Sequence, residues 1–296
     1  MISIIICSAS RELLASAINN IENTIGVPFE ILSYENPKGE FGICNIYNKG
    51  AKAAKFDILC FMHEDLDIKT FDWGKIVLQS FSENNNLGIM GVVGCSYKSM
   101  APSGWEARSL ESKLLFYNYI QHYKFTNTPS AHFIENPDNA QISKVVSVDG
   151  MWFCTKKTIF TEFSFDEKLF SGFHCYDLDF CFQVRQKYDV AVTFQILIEH
   201  FSEGNFKKDW WMDTLRLHWK WRTELPMSVD KLSNRTQFLI EKRTYRSLVY
   251  LLTDMGYSKR YLFPLFLKLK AYGLMSWQQY FKINYFTLKF FNARKK

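Results

Sequence analysis

The sequence predicts an α/β fold in which a mostly parallel sheet carries helices on both faces, followed by a helical extension. Two observations lead to this prediction. Apolar, β-branched runs alternate with segments of helical spacing through most of the chain, a pattern typical of parallel sheets covered by helices. Near residue 206 the pattern changes to longer helical segments rich in aromatic and basic residues. We therefore expect an α/β domain of residues 1–206 and a helical extension of residues 207–296.

The bulk composition indicates a globular, cytoplasmic protein. The chain has 296 residues, of which 47% are hydrophobic, enough for one large core. Its start, "MISIIICSAS", lacks the basic region and the long apolar run of a signal peptide. No stretch approaches the roughly 18 consecutive apolar residues of a membrane span, so any membrane contact is expected at the inner surface. The seven scattered cysteines form no C-x-x-C pair and are expected to be reduced, structural side chains.

The first half of the chain supplies most of the predicted sheet. Residues 2–7 form a β-branched run that predicts a buried strand, and the helical segment "RELLASAINNI" follows, closed by Gly26 and Pro28,. The alternation then continues through strand "FEILSY", helix "NIYNKGAKAAKF", strand "DILCFM", helix "DWGKIVLQSFSENN" and strand "LGIMGVVG".

The segment after the predicted strand "LGIMGVVG" fits no single element. Residues 95–144 are expected to contain a helix at "KLLFYNYIQHY" and a loop at "TNTPSAHFIENPDNA". Insertions of this length often form lids or acceptor-binding loops, and disorder is the alternative. The remaining predicted elements are sheet at "KVVSVDGMWFCTKK", helix at "TIFTEF", loop at "SFDEKLFSGFHCYD", helix at "LDFCFQVRQKY", and strands at "VAVTF" and "ILIEHF".

Polar side chains end the first three predicted strands. They are Ser8, Glu35 and the acidic cluster of residues 63–67, "HEDLD". In open α/β sheets, ligands bind beyond the carboxyl ends of the strands. Carboxylates at that edge suit Mg²⁺ or Mn²⁺, which can also hold a substrate diphosphate.

The acidic cluster has two interpretations. Alternation along an extended chain places His63 and Asp65 on one side and Glu64 on the other, so Asp65 and His63 are expected to face the site. Alternatively, Asp65 or Asp67 caps the next helix, because acids favour helix N-termini. The pattern by itself leaves both interpretations open.

A second acidic stretch, "YDLDF", opens a predicted helix further on. Asp177 and Asp179 are two residues apart, so their side chains are expected to point in different directions and one to reach the cleft. The alternative is that both acids only stabilise the helix N-terminus. His200 ends an apolar strand, where a histidine is commonly a packed residue.

Taken in order, these features resemble the family 2-type inverting glycosyltransferases of the GT-A fold, a Rossmann-like architecture. The strand-end acids are followed by "VDGMWFCTKK", "FDEKLFSGFHCYDLDFCFQVR" and "ILIEHFSEG" over roughly residues 1–205. The resemblance implies transfer of a sugar, with inversion, from a nucleotide-sugar donor to a glycan or lipid-linked acceptor. It also implies a divalent metal, Mn²⁺ or Mg²⁺, and a role in cell-surface polysaccharide or lipopolysaccharide synthesis.

The same resemblance assigns roles to particular residues. Asp177 corresponds to the general base, and Asp65, His200 and His63 are the expected metal ligands. The residues expected at the nucleotide-sugar donor are Ser8, Glu35, Lys49, Gly50, Glu64 and Asp65. At two positions the chain differs from the family pattern: His63 replaces the first Asp of D-x-D, and Tyr176 replaces the Glu of "ED". The "HED" form resembles a branch of bacterial glycosyltransferase-like proteins.

Three further residues are candidates for the sugar or acceptor site. Trp105 and Trp152 can stack on sugar rings and the Asp149 carboxylate can bind hydroxyl groups, although core packing is the alternative for each tryptophan.

The extension carries most of the positive charge. Residues 207–296 contain 19 Lys and Arg against 6 Asp and Glu, a net charge of +13, which leaves −7 for residues 1–206. The extension is expected to pack on the catalytic domain, to form a homo-oligomer interface, or to bind the membrane surface. No recognised nucleic-acid motif accompanies the charge, and nucleic acid is not an expected partner.

Two other functional classes are alternatives to the enzyme. In a binding or scaffold protein on the same fold, the altered "HED" would mark lost catalysis, and the extension would recruit partners to the membrane. A nucleotidyltransferase would carry a Gly-rich, basic loop after the first strand, and "CSASRELL" does not have this composition.

Overall fold

The computed structural model describes residues 1–106, 112–124, 126–202, 204 and 206–293. The helices in these ranges are α1 (Arg11–Thr24), α2 (Ile43–Ala53), α3 (Trp73–Glu83), α4 (Lys157–Glu162), α5 (Tyr176–Val184), α6 (Lys208–Lys220), α7 (Asn234–Asp254), α8 (Lys259–Ala271) and α9 (Trp277–Ala293). The strands are β1 (Ile2–Ser8), β2 (Phe29–Glu35), β3 (Ile58–Met62), β4 (Leu66–Ile68), β5 (Leu87–Gly91), β6 (Val93–Cys95), β7 (Tyr97–Lys98), β8 (Leu115–Gln121), β9 (Ala131–Glu135), β10 (Ile142–Val145), β11 (Ser147–Val148), β12 (Trp152–Lys156), β13 (Asp189–Thr193), β14 (Ile198–His200) and β15 (Met227–Ser228).

The described residues form a central seven-stranded sheet in the order β10, β13, β5, β12, β3, β1, β2. Strands β1, β2 and β3 are parallel to one another, as are β5 and β13. Strand β12 runs antiparallel to both β3 and β5, and β10 runs antiparallel to β13. Five of the seven strands therefore point the same way, which confirms the predicted mostly parallel α/β sheet.

Both faces of this sheet are covered by helices. Alternate residues of a strand face opposite sides, so Ile4 and Ile6 of β1 pack in a cluster with α1 and α3, whereas Ile5 packs in a cluster with α2 and α5. Because both sides are buried, the strand is apolar along its whole length, which is why its sequence shows a continuous β-branched run.

A second sheet lies beside the first, and it corrects one prediction. Its strand order among the described residues is β11, β6, β8, β14, β4, with β9 paired to β8. The segment "KLLFYNYIQHY", predicted as a helix, contains strand β8, and the predicted loop that follows contains β9. The spacing of apolar residues fits either state. Aromatic residues favour strands, and pairing with three strands distant in sequence decides the outcome.

The C-terminal helices α6 to α9 contribute to the same apolar cluster as α2 and α5, through residues such as Trp211, Leu248 and Phe266. The helical character of the extension is confirmed, and the division into two domains at residue 206 stays a prediction. Throughout the described ranges, none of the helices combines the length and apolar character needed to cross a bilayer. The seven cysteines are free thiols and six of them are buried.

Candidate active site

Strand pairing brings the predicted polar residues to one edge of the molecule. Ser8 at the end of β1 lies opposite Glu35 at the end of β2. Met62, which precedes His63, lies opposite Ile6 of β1. The convergence expected at the carboxyl ends of the first three strands is therefore present.

Three side chains at this edge form a cluster suited to a metal ion. His63, Asp65 and His200 each offer one ligand atom, and these atoms lie within 4.8 Å of one another. His63 Nδ1 is 4.0 Å from one Asp65 oxygen, and His200 Nε2 is 3.8 Å from the other. His200 reaches this position because β14 runs antiparallel to β4, which places it opposite Leu66.

The charge state of Asp65 fits a metal-binding role. Burial acts to raise the pKa of the Asp65 carboxyl, but the nearby imidazoles of His63 and His200 and a hydrogen bond from Ser202 outweigh burial and lower it,. Asp65 is thus an anion near neutral pH. Ligand atoms on one ion with bonds of about 2.1 Å lie at most about 4.2 Å apart, so small side-chain movements suffice to close the cluster on an ion. The donor set of two imidazoles and one carboxylate therefore fits a divalent transition metal.

The other two acids of the cluster face elsewhere, which strand alternation predicts for Glu64 but not for Asp67. Glu64 accepts hydrogen bonds from the Ser8 hydroxyl and from the backbone N–H groups of Ala9 and Ser10. Asp67 binds Asn20 and Lys69. The alternative that Asp65 or Asp67 caps a helix is wrong, because β4 follows directly and α3 begins later, at Trp73.

The two departures from the family pattern contact each other. The Tyr176 hydroxyl is 2.9 Å from His63 Nε2, and it also donates to the backbone carbonyl of Gly150 at 3.0 Å. A hydroxyl has one hydrogen and a carbonyl can only accept, so both contacts are satisfied when His63 Nε2 carries the proton. In the neutral imidazole, Nδ1 then has the free lone pair, on the side facing Asp65.

Gly150 links this contact to Asp177. Its N–H donates to Asp177 Oδ2 at 2.9 Å, while its carbonyl accepts from Tyr176. A Cβ atom at Gly150 would lie 2.2 Å from the Tyr176 hydroxyl, so a larger residue would separate the turn from helix α5. The peptide of Gly150 thus connects the metal cluster to the predicted base.

Asp177 has the electrostatic environment of a proton acceptor that works near neutral pH. Burial, and then the negative charge of Asp149, raise the pKa of Asp177 to about 7,. Backbone N–H groups, including that of Gly150, partly offset this rise. A general base is most effective when its pKa lies near the working pH.

Asp179 points away from Asp177, as expected for positions two apart at a helix start. It accepts hydrogen bonds from Lys220 Nζ at 2.9 Å and from Trp221 Nε1 at 2.8 Å, and both donors belong to the extension. Asp179 is 1% exposed. It therefore attaches helix α5 to the extension and does not reach the cleft.

The other residues predicted to bind the nucleotide-sugar donor also contact side chains within the protein. Glu35 forms a two-point ion pair with Arg11 at the exposed edge, with distances of 3.0 and 2.9 Å. Lys49 Nζ lies 5.0 Å from the ring centre of Tyr34. Gly50 packs against the sheet, because an added Cβ would lie 2.5 Å from Ile5. Gly50 thus allows α2 to approach β1 closely, and its place at the donor stays a prediction.

The structure separates the acceptor candidates. Trp152 is fully buried and packs edge-on against Trp73, so the prediction that it stacks on a sugar is wrong. Its strand is an interior strand of the sheet, and its ring belongs to the core. Trp105 is partly buried against the core. Asp149 lies at the turn before Gly150, beside Asp177, where a carboxylate can meet a substrate hydroxyl.

Three residues of the site carried little signal in the sequence. Tyr176 was noted only as a departure from the family pattern, and its partner His63 lies 113 positions earlier. Gly150 lies within the predicted sheet segment "KVVSVDGMWFCTKK", which assigns it no role. Arg11 was assigned to a helix without a role, although its position next to a strand end was a usable signal.

Comparisons with known proteins agree with this geometry. The sequence profile of the glycosyltransferase-like family matches residues 3–217. No curated protein matches the chain. A crystal structure of GalNAc-T7 with UDP, GalNAc and Mn²⁺ is similar with a TM-score of 0.50 and 9% identity, covering 73% of this chain and 47% of that one. The chain thus spans about half the length of that protein, and the likeness shows a shared GT-A fold. A197 from STIV gives a TM-score of 0.38 and 13% identity, covering 68% of this chain and 86% of that one, too weak to show a shared fold.

Proposed function

The chain belongs to the glycosyltransferase-like family, and from this premise we propose that it is a metal-dependent, inverting glycosyltransferase. It transfers a sugar from a nucleoside diphosphate donor to a hydroxyl of a glycan or lipid-linked acceptor, in the cytoplasm, during cell-surface polysaccharide or lipopolysaccharide assembly. One observation carries the proposal. Asp177, with its pKa raised to about 7, is joined through the peptide of Gly150 to Tyr176 and so to the His63, Asp65 and His200 cluster.

Asp177 is the general base of the proposed reaction. It accepts the proton of the acceptor hydroxyl while that oxygen forms a bond to the anomeric carbon of the donor sugar. The bond from this carbon to the diphosphate oxygen breaks, and the nucleoside diphosphate leaves with the electron pair. Attack from the face opposite the leaving group inverts the configuration. Positioned general bases contribute roughly 10²- to 10⁴-fold to such steps.

His63, Asp65 and His200 would hold a divalent ion, which would neutralise charge on the departing diphosphate,. Two imidazoles among three ligands favour a transition ion such as Mn²⁺ over Mg²⁺, which prefers oxygen ligands. The crystal structure of GalNAc-T7 contains UDP and Mn²⁺, which makes a uridine diphosphate donor the first to test.

We assign residues to the nucleotide-sugar donor and to the acceptor from where they lie in the fold. Ser8, Glu35, Lys49 and Glu64 belong to the β1, β2 and α2 side, and we assign the nucleotide to that side. Asp149 lies beside Asp177 and binds hydroxyl groups of the sugar or acceptor, and Trp105 borders the acceptor.

Calorimetric titration with nucleoside diphosphates, with and without Mn²⁺, tests the proposal. We expect one nucleotide to bind in a metal-dependent manner. Replacing Asp65 by Asn should weaken Mn²⁺ binding by about 100-fold or more, because losing a ligand costs at least as much as losing a group that only orients one. Asp67→Asn is the matched control, because Asp67 faces Asn20 and Lys69, and it should leave binding unchanged.

Two outcomes would contradict the proposal. If no nucleotide binds with or without metal, the binding or scaffold protein on the same fold becomes the better account. If Asp67→Asn weakens Mn²⁺ binding as much as Asp65→Asn does, the assignment of the metal to the cluster of His63, Asp65 and His200 is wrong.

A further inference from the structure

Helix α9 is apolar on two sides: Ile283, Phe286 and Phe290 pack against the core, and a second apolar side is turned outward. Its buried residues are Gln279, Ile283 and Thr287. Trp277, Phe281, Tyr285 and Leu288 recur at intervals of four, four and three residues, which places them on one side of the helix, and each is between 44% and 65% exposed. A helix on the surface of a globular protein normally buries its apolar side. We call these four residues the aromatic face.

Basic side chains border the aromatic face. Lys270 Nζ lies 4.6 Å from the ring centre of Trp277, and Lys289 Nζ lies 4.8 Å from that of Tyr285. Residues 255–296 contain nine Lys and Arg and no Asp or Glu. Any partner of this surface therefore combines apolar groups with negative charge.

A groove between α6 and α8 has the same chemistry. It has a volume of about 670 Å³, with an apolar lining that includes Trp219, Leu265 and Leu269. Arg216, Arg260 and Lys268 also line it. The groove can take an apolar chain attached to an anionic head group.

We propose that the aromatic face of α9 docks onto a bilayer of anionic phospholipid, with the helix lying in the plane of the interface. The apolar centre inserts between lipid chains, and the lysines at its border bind phosphate groups, as in interfacial amphipathic helices. Charge argues against a second copy as the occupant, because two surfaces without acids would repel each other. Nucleic acid would match the charge but leaves Leu288 and Phe281 without an apolar environment.

Flotation with vesicles tests this proposal on the full chain. We expect the protein to float with vesicles that contain about one third phosphatidylglycerol and to float weakly with neutral phosphatidylcholine, with binding reduced by salt. Phe281→Ser should weaken partitioning about tenfold or more, because a phenyl ring is withdrawn from the apolar phase. Phe71→Ser is the matched control, since Phe71 is 73% exposed on the α/β domain, and it should leave partitioning unchanged.

A second pair of variants tests the charge. Lys289→Gln should weaken partitioning about fivefold, the effect of one cation near an anionic surface, and Lys52→Gln on α2 should not. Circular dichroism confirms that each variant is folded. The vesicle assay contains no sugar donor, so its result is independent of whether the proposed transferase activity holds.

Several results would overturn the proposal. These are equal flotation with neutral and anionic vesicles, retained flotation of Phe281→Ser, or equal losses for Phe71→Ser. A dimer detected by light scattering that Phe281→Ser abolishes would assign the face to a second copy. Binding to an oligonucleotide that Phe281→Ser abolishes, without vesicle binding, would assign it to nucleic acid.

Discussion

Carboxylates lie in the candidate active site and also at the contact between the α/β domain and the extension. The two regions differ in the groups that contact these carboxylates. Asp179 and Glu241 lie at the contact with the extension and are satisfied by side-chain donors. Glu241 of α7 accepts from the hydroxyls of Tyr97 and Ser99, both at 2.7 Å, and from two backbone N–H groups. In the active site, Asp177 is held by backbone N–H groups and faces another carboxylate, Asp149.

This difference distinguishes acids that stabilise the fold from acids that are candidates for a catalytic role. A buried carboxylate that receives an ammonium or several hydroxyls has its charge compensated within the fold. Burial raises the pKa of all three carboxyls, Asp177, Asp179 and Glu241. Only Asp177 has a second carboxylate as its charged neighbour in place of a cation or hydroxyl donors, and such a group gains from a proton or a ligand, which is typical of functional sites. Asp177 and Asp179 show both cases two positions apart on the same helix.

The largest effect expected from this comparison is on turnover. Asp177→Asn should lower kcat roughly 10²- to 10⁴-fold, because the proton acceptor is lost, and should leave donor binding intact. The measurement is steady-state transfer to acceptor, together with calorimetry for the donor. Asp179→Ala, measured on folded protein, should change kcat by less than about tenfold. Similar losses of kcat in both variants would contradict the distinction.

The pH dependence gives an independent check on Asp177. The carboxylate is the active form, so kcat/KM should rise with pH up to about 7 and then level off, following the raised pKa,. The stability effect has the opposite sign. The folded chain holds the Asp177 proton up to about pH 7, against an ordinary value of 3.8, so its contribution to stability is lost as pH rises from about 4 to about 7. Asp177→Asn should therefore gain stability relative to the native chain over that range.

The next largest effect is on stability at the contact with the extension. Asp179→Ala should lower the free energy of unfolding by about 3 kcal/mol or more, because Lys220 and the Trp221 N–H lose a buried acceptor. Urea unfolding measures this. Asp166→Ala is the matched control: Asp166 also binds Lys220, at 2.9 Å, but its side chain is 30% exposed against 1% for Asp179, so its loss should cost less, about 1 kcal/mol. Equal costs would mean that burial is not what distinguishes the two acids.

The smallest effect concerns the orientation of a ligand. Tyr176→Phe removes the hydroxyl that bonds His63 Nε2 and Gly150, so His63 is free to present either nitrogen. Mn²⁺ affinity should fall about tenfold, at the low end for groups that orient metal ligands. Calorimetric titration with Mn²⁺ alone measures this without any substrate. Tyr188→Phe, whose hydroxyl contacts Glu162 at the surface, should leave the affinity unchanged. An unaltered affinity in Tyr176→Phe would show that His63 is oriented by other contacts.

Much of the α/β domain was predictable because its signals are local. Residues 2–7 of β1 and the helices α1, α5 and α7 are visible in apolar spacing, and Ser8 and Glu35 follow from where strands end. The strand β8 was not predictable in this way, since its partners β6, β9 and β14 lie elsewhere in the chain. Trp152 was misassigned because an aromatic residue next to a turn looks the same in sequence whether it faces a cleft or the core.

The sequence by itself determined the alternation of strands and helices, the polar strand ends, and the charge imbalance between the domain and the extension. These depend on residue type and on spacing along the chain. Only the tertiary structure decided which acids face the site, that Tyr176 orients His63, and that α9 leaves its aromatic face exposed. Such facts depend on atoms brought together from distant positions, and packing selects one of the orientations that local spacing allows.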